Sequence, residues 1–435
     1  MKNRTLQVMI VILIAFCVGY FFGVTRINLD WQNFKPVINV ASKEPPPGVV
    51  SIDFNPFWTV WQSLETNYYD KSKLDQQKML DGAITGMVGA LGDPFTIYLP
   101  PVQNNDFKQG LAGQFSGIGA ELGTKDKDII VIAPLDGSPA EKDGIKAGDI
   151  ILKVDGQSVV GADLSKVVTE IRGAKGTPVT LTVQHASGKQ VDIRIIRDII
   201  TVKSVAMNIE TANCDQNGCK NVSKDTCSGS GCTEFAYIRL SQFGDSTNQD
   251  WANLVKGISS KINQDKNIKG VVLDLRNNPG GYLSDAQFIA SEFLPQGNVV
   301  VNCVPTCSDN NGVSQNQLTA QRQDQQQGLL IDPKIKVVVL INKGSASASE
   351  IVSGALRDNK RAILVGETSY GKGTVQQAQD LGGGAGLHVT VAKWLTPNGT
   401  WVNGKGLTPD VPVSLDPKNP AEDTQLEKAV FELLE

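Results

Sequence analysis

The longest apolar run in the chain is its first. Residues 6–24 (Leu6 to Val24) are interrupted only by Gln7 and preceded by Lys2 and Arg4. A run of this length crosses a hydrocarbon layer of ~30 Å as one helix. Its exit, Tyr20-Phe21-Phe22-Gly23-Val24-Thr25-Arg26, lacks a small-x-small cleavage pattern, which favours an uncleaved transmembrane anchor over a secretory signal. Residues 25–50 carry Pro45-Pro46-Pro47 and no periodic pattern, and read as a stiff linker. Over 51–105 the period becomes helical. Phe57, Trp58, Trp61 and Leu64, then Met79, Ala83, Met87 and Ala90, recur at helical spacing, and Gly92-Asp93-Pro94 breaks the run. The pattern predicts a small N-terminal helical unit.

Residues 106–198 alternate short elements. Strands are predicted at Ile129 to Ala133, at Asp149 to Val154, and where Val179, Leu181, Val183 and then Val191, Ile193, Ile195 alternate. Ser138-Pro139-Ala140-Glu141 is a helix start, with a capping serine, proline at the first helical position and glutamate three residues after the cap. Leu164, Val167, Val168 and Ile171 mark a longer helix. This order closes a small, partly open barrel. Residues 199–435 alternate strands and helices on a larger scale. The continuous apolar runs Gly270 to Leu275 and Lys336 to Ile341 are expected of strands covered on both faces, with Arg361 to Val365 a third. Trp251, Leu254, Val255, Ile258 and Ile262 make an amphipathic helix, and Glu350 to Asp358 another. The Gln-rich stretch Ser308 to Gly328 reads as a flexible insertion. The whole is a multidomain α/β chain.

Composition then narrows the chemistry. With 41 Lys plus Arg against 45 Asp plus Glu, the net charge is −4 and no long basic block occurs, which argues against a nucleic-acid partner. Two histidines nearly exclude a His-rich zinc site, and both sit in unpromising settings, His185 at a hairpin tip and His388 in a strand. Acid-base work falls instead to Lys, Asp, Glu or Tyr. Besides Cys17 there are six cysteines in two groups: Cys214, Cys219, Cys227, Cys232, and Cys303, Cys307. A structural zinc site is one reading of the first group. Disulfides fit an exported chain better, with pairing left open.

Three stretches carry candidate chemistry. Lys343-Gly344-Ser345-Ala346-Ser347-Ala348-Ser349-Glu350 follows a buried strand and opens a helix, where free amides and the helix dipole favour an acyl-transfer nucleophile. The plain alternative is that Ser347 to Glu350 is a capping box. Gly366-Glu367-Thr368-Ser369-Tyr370-Gly371-Lys372-Gly373 mimics a Walker A loop, but Gly373 stands where Ser or Thr should bind Mg²⁺, and the following residues look extended. A desolvated Lys372 there is a candidate general base. In an extended stretch Lys372, Thr374 and Gln376 share a face, and Gln376 orients the amine only if both side chains converge across a bend. Asp274-Leu275-Arg276-Asn277-Asn278-Pro279-Gly280-Gly281 ends a core strand in a turn whose amides can face an oxyanion.

In this order, DLRNNPGG, GSASASEI and GETSYGKGTVQ strongly resemble the carboxyl-terminal processing peptidases, or tail-specific proteases. GAITGMVGALGDPFTIYL, FSGIGAEL, WLTPNG and GKGLTPD resemble the same family, so the likeness covers nearly the whole body. The resemblance implies a serine endopeptidase with a crotonase-like (Clp protease-like) α/β core and an inserted PDZ domain. It implies Ser347 as nucleophile, Lys372 as base, Gln376 orienting the lysine, and an oxyanion hole from Ala348 with Gly280 or Gly281. Ser345 and Ser349 are the alternatives if the register is shifted. Gly117-Ile118-Gly119 would capture a substrate's terminal carboxylate. No cofactor or metal is implied. The expected partners are proteins or peptides with free carboxyl tails and the membrane, self-association staying open, and the expected location is a single-pass membrane protein with its body outside the cytoplasm, periplasmic or extracellular. The rival is an inactive PDZ scaffold.

Overall fold

The computed structural model describes residues 27–32, 35–40, 52–125, 128–135, 137–146, 148–162, 164–185, 187–201, 203–223, 231–265, 267–303, 315–319, 330–415 and 422–435. The predicted anchor, residues 6–24, lies outside them. Among the described residues no helix is long and apolar enough to cross a membrane. The chain divides into two compact units, residues 1–79 and 80–435.

In the first unit, strands β1 (Ile27–Gln32) and β2 (Lys35–Val40) form an antiparallel hairpin. This corrects the reading of 25–50 as a structureless linker. The missed signal is the period-two alternation Ile27, Leu29, Trp31 against Asn28, Asp30, Gln32. Helix α1 (Asn55–Asn67) forms where the aromatic period predicted it, yet buries no residue, and Trp58 is 60% exposed. Helix α2 (Gln76–Gly89) follows. In the second unit its residues Ile84 and Val88 pack with Tyr98, Ala385 and Leu387, and Tyr98 Oη donates to Asp81 Oδ1 (2.8 Å). Tyr98 belongs to β3 (Ile97–Leu99), so the stretch predicted as all-helical also contributes a strand.

Helix α3 (Pro101–Leu111) leads into the predicted barrel. Its strands are β5 (Ala120–Lys125), β6 (Asp128–Pro134), β7 (Ile150–Val154), β8 (Gln157–Ser158), β9 (Pro178–Gln184) and β10 (Gln190–Ile196). They hydrogen-bond in the order β10-β9-β7-β6-β5, with β8 on β7. The alternation on β9 does what it predicts, burying Val179, Leu181 and Val183. Helices α4 (Pro139–Lys142) and α5 (Leu164–Ile171) cover the barrel, and Ser138 Oγ accepts from the Glu141 N–H as the cap requires. The chain enters through β4 (Gln114–Gly117) and leaves through β11 (Asp198–Thr201), and these two strands pair antiparallel. Such a paired stem is how one domain is inserted into another.

The larger sheet contains β12 (Val205–Asp215), β13 (Gly218–Ser223), β14 (Cys232–Leu240), β15 (Ile268–Asp274), β18 (Lys336–Ile341), β19 (Ile363–Gly366) and β22 (Val411–Pro412), in the order β13-β12-β14-β15-β18-β19-β22. From β14 to β22 all pairs are parallel. Helices α6 (Thr247–Gln264), α7 (Leu283–Ser291) and α8 (Ala348–Asp358) bury Trp251, Ile289 and Ile351 with one face of the sheet. Helix α9 (Thr424–Glu432) packs Leu426 and Val430 with Val272, Val338 and Val365 of the other. Both faces are covered, which is why the central strands read as unbroken apolar runs. A second sheet orders β17 (Gln315–Thr319), β16 (Asn298–Cys303), β21 (Ala385–Leu395) and β20 (Thr374–Gly382), with β3 also on β21. Part of the stretch predicted as a flexible insertion is therefore strand β17.

Cys214 and Cys219 are joined by a disulfide across the β12–β13 hairpin, and Cys232 and Cys303 are each in a disulfide as well. These four cysteines are staples, as the exported-chain reading expected.

Candidate active site

The three chemistry-bearing stretches converge where strands of the larger sheet end. The turn after β15 is held from both sides. Asp274 is buried and accepts from Tyr237 Oη (2.7 Å), Arg239 Nη1 (2.8 Å) and Arg276, whose Nη groups reach on to Asp423 and Gln425 beside α9. Asn278 Nδ2 donates to the Leu240 carbonyl (2.8 Å). Gly281 has φ 140°, and a Cβ there would lie 1.7 Å from the Phe243 carbonyl oxygen. Gly280 has φ 96°, and its Cβ would meet the Ala346 carbonyl oxygen at 2.7 Å and Ser347 Cβ at 2.8 Å. The glycine pair is thus required for the turn to touch the Ser347 junction. The Gly280 N–H is taken by Asn278 Oδ1 (2.9 Å), so of the pair Gly281 is the better oxyanion candidate beside Ala348.

At the start of α8 the three serines differ in kind. Ser345 is fully buried, donates to the Leu275 carbonyl (2.8 Å) and accepts from the Asn342 N–H (3.0 Å). Ser349 is fully buried and donates to the Asn278 carbonyl (2.9 Å). Ser347 alone of the three lines a cavity of about 510 Å³, and it has φ 53° and ψ −113°, a conformation L-residues rarely adopt. The register alternatives are therefore occupied structurally. The Ser347 side chain also closes a capping box, facing the Glu350 N–H while the Glu350 carboxylate accepts from the Ser347 N–H.

The capping partner of Ser347 has a larger task than a cap. Glu350 is fully buried, and its two oxygens accept from the Ser347 N–H (2.9 Å), the Lys372 N–H (2.9 Å), the Gly371 N–H (2.7 Å) and Ser369 Oγ (2.5 Å). One carboxylate so joins the helix start to the lysine loop. The sequence signals it only as the third residue of a capping box.

Lys372 lines the same cavity, half-buried, with Nζ 5.1 Å from the centroid of the Phe95 ring. Burial holds its amine below the ordinary lysine value, against the opposing charges of Asp93 and Glu350. Asp93 and Phe95 come from the Gly92-Asp93-Pro94-Phe95 turn, which reads in sequence only as a helix breaker. Among the described residues Lys372 Nζ has no hydrogen-bond partner. Gln376 lines the cavity too, but its Nε2 donates to Thr374 Oγ1 (2.8 Å) and Thr390 Oγ1 (3.1 Å), not to the lysine. The ladder is irregular at this point: Val375 pairs with Ala392 and Gln376 with Thr390, so Val391 of β21 is the extra residue of a bulge opposite Gln376.

His388 stands in β21 as predicted, yet its setting is not remote. It is 8% exposed, lines the cavity and packs edge-on against Phe107 with ring centroids 4.4 Å apart. Burial first, and the Lys372 charge second, push its pKa below the ordinary histidine value. His185 lies at the β9–β10 tip, with Nδ1 2.7 Å from Asp149 Oδ1. Gly117 ends β4, and Ile118 and Gly119 link it to β5, outside this cavity. The Ile118 carbonyl accepts from Ala140 N–H (2.8 Å) and that of Gly119 from Leu135 N–H (2.9 Å).

The profile of peptidase family S41 matches residues 234–413, that of the PDZ domain residues 106–184, and that of the activating protease CtpB N-terminal domain residues 28–101. The carboxy-terminal-processing protease of Bartonella bacilliformis is 39% identical over 358 residues, covering 82% of this chain and 74% of that one. The chain belongs to the carboxy-terminal-processing proteases of peptidase family S41. Carboxy-terminal processing protease CtpB of Bacillus subtilis is 34% identical to this peptidase over 398 residues, 91% of this chain and 74% of that one. Among solved structures, the photosystem II D1 C-terminal processing protease matches with a TM-score of 0.50 at 30% identity, over 86% of this chain and 95% of that one. The peptidase is thus of the serine type and carries a PDZ domain. The matched N-terminal domain begins at residue 28, which includes the β1–β2 hairpin.

Proposed function

We propose that this peptidase cleaves proteins selected by their free carboxyl tails, with Ser347 as nucleophile and Lys372 as general base. The observation that carries the reading is the shared cavity: a strained serine at a helix start, a half-buried lysine and the Gly280-Gly281 turn line one space. The lowered lysine pKa leaves a larger fraction of free amine near neutral pH than an exposed lysine has. The Ser347 hydroxyl loses its proton to Lys372 Nζ as its oxygen bonds to the scissile carbonyl carbon. The oxyanion formed accepts from the Gly281 and Ala348 N–H groups at the positive end of α8. Collapse expels the amine, which takes the proton back from the lysine and leaves an acyl-enzyme on Ser347. Water then attacks the ester, with Lys372 again the base. Gln376, whose Nε2 is held by two threonines, keeps Oε1 for the lysinium.

The PDZ domain supplies selection by the tail, with Gly117-Ile118-Gly119 toward the carboxylate and the β5 edge toward the extended peptide. The apolar run 6–24 anchors the chain in a membrane, and the disulfides favour a body outside the cytoplasm. The core is of the crotonase-like type, and self-association is compatible with all of this.

The experiment compares the purified enzyme with Ser347→Ala and Lys372→Ala on an unfolded protein substrate. Both variants are expected to lose cleavage, and undiminished cleavage in both would refute the dyad. Amidating the substrate's terminal carboxylate is expected to slow cleavage, and an unchanged rate would refute tail selection. Release of the full chain from membranes by alkaline washing would refute the anchor.

A further inference from the structure

Every backbone N–H and carbonyl of residues 371–373 has a hydrogen-bond partner. The Gly371 N–H goes to Glu350 Oε1 (2.7 Å), and its carbonyl accepts from the Gly404 N–H (2.9 Å). The Lys372 N–H goes to Glu350 Oε2 (2.9 Å), and its carbonyl accepts from Trp394 Nε1 (2.9 Å). The Gly373 N–H goes to Asn403 Oδ1 (3.1 Å), and its carbonyl accepts from Trp401 Nε1 (3.0 Å) and the Trp394 N–H (3.1 Å). Four side chains from three separate stretches therefore grip three consecutive residues. The two glycines are explained by the same grip. A Cβ on Gly373 would lie 2.7 Å from Trp401 Nε1, and one on Gly371 2.7 Å from the Gly406 nitrogen.

The lysine's tip is the opposite case. Among the described residues Nζ has no hydrogen bond and lies over the face of Phe95, an attraction of about 1 kcal/mol that a side-chain rotation can break. An anchored backbone with a loosely held amine separates two motions that a mobile loop would mix. We propose that Trp401, together with Asn403 and Trp394, is a positioning residue that fixes the Lys372 backbone, so that the amine reaches Ser347 by rotation of its own side chain and not by movement of the loop. This rests on Lys372 being the general base, as assigned above. Trp401 is the informative member. It is 39% exposed, whereas Trp394 is fully buried in the core, and its ring carries the Lys393 amine 4.4 Å from the centroid.

The test uses the full chain in detergent with Trp401→Phe, which keeps a ring for Lys393 and removes the N–H. A second pair is Asn403→Ala, which removes the acceptor, and Asn403→Asp, which retains one. The expected result is a kcat lowered roughly 10-fold, the rate equivalent of one hydrogen bond, with KM within about two-fold. The rising limb of kcat against pH is expected to move in Trp401→Phe and Asn403→Ala and to return towards wild type in Asn403→Asp. A thermal unfolding midpoint close to wild type accompanies it, since a purely structural loss would lower the midpoint without moving the limb. Unchanged or increased kcat in Trp401→Phe and Asn403→Ala, or a pH limb that stays in place, would overturn the proposal, an increase meaning that the grip is a brake. Should Trp401→Phe fail to fold, the Asn403 pair decides alone. Failure of the dyad itself reads differently: Lys372→Ala would then retain activity.

Discussion

Asp285 is the buried acid whose replacement gives the sharpest test of the electrostatics around the Gly280-Gly281 turn. It sits in the first turn of α7, just after Gly280-Gly281-Tyr282, and is 5% exposed. Its Oδ1 accepts from Asn248 Nδ2 (3.1 Å) and Ser284 Oγ (3.4 Å), while its Oδ2 and Asn248 Oδ1 are both buried acceptors without a partner among the described residues. Asp245, which accepts from Tyr282 Oη (2.9 Å), adds a like charge nearby. Burial first, and Asp245 with it, push the Asp285 pKa up to about 6 from 3.8, against the hydrogen bonds from Ser284 and Asn248. The folded state therefore holds this proton more tightly than the unfolded chain. Its contribution to stability is full below pH 3.8, declines as the pH rises, and is lost once the pH passes about 6. About 2 units at 1.36 kcal/mol each make the total near 3 kcal/mol, of which about 2 falls between about pH 4.5 and 7.5. Asp285→Asn mimics the protonated acid at every pH and supplies a donor for Asn248 Oδ1. Urea unfolding followed by the fluorescence of Trp251, buried in the same core, measures the difference. The variant is expected to gain on wild type by about 2 kcal/mol between those two pH values. A gap that does not change with pH, or a variant less stable than wild type at about pH 7.5, would refute the reasoning.

Four further outcomes are expected. Glu350→Gln replaces two acceptor oxygens by one and sets an amide against buried donors. It should cost about 3 kcal/mol in unfolding free energy, with loss of peptidase activity; wild-type stability would show that the four hydrogen bonds are dispensable. Gly281→Ala places a Cβ 1.7 Å from the Phe243 carbonyl oxygen and should abolish turnover and lower the unfolding midpoint, whereas an active, equally stable variant would contradict the turn geometry. Replacing His185 by Asn should leave kcat unchanged. His388→Gln should change KM for substrates whose side chains enter the cavity while leaving the pH limb of kcat in place, and disappearance of that limb would make His388 the titrating group.

Much of the larger domain was legible because its signals are local. The runs at 270–275 and 336–341 are apolar apart from Asp274 and Lys336, as strands covered on both faces require, and the barrel strand at 178–184 buries every second residue as its alternation says. Signals whose meaning depends on a distant partner were read less well. Ile27, Leu29 and Trp31 alternate, but beside a proline-rich stretch they passed for linker. Phe57, Trp61 and Leu64 fall on one helical face, yet α1 buries none of its residues. His388 was read correctly as a strand residue, while its place on the cavity wall depends on β21 lying beside β20 and β3.

The candidate site divides along the same line. Local motifs brought out the serine stretch 345–349, Lys372 and the glycine pair as candidates, because a nucleophile at a strand-to-helix junction and a turn with free amides are short-range arrangements, and the family resemblance implied Ser347 among the three serines. The fold adds an independent reason to prefer it, since tertiary packing ties the Ser345 and Ser349 hydroxyls to the carbonyls of Leu275 and Asn278. The partners of the lysine came from residues 93–95, 350, 394, 401 and 403, separated from it by up to hundreds of positions. Burial, hydrogen-bond satisfaction and a lysine's lowered pKa are properties of what surrounds a group in space. The sequence by itself determined which residues are chemically able to act, and the tertiary structure decided which are held where they can.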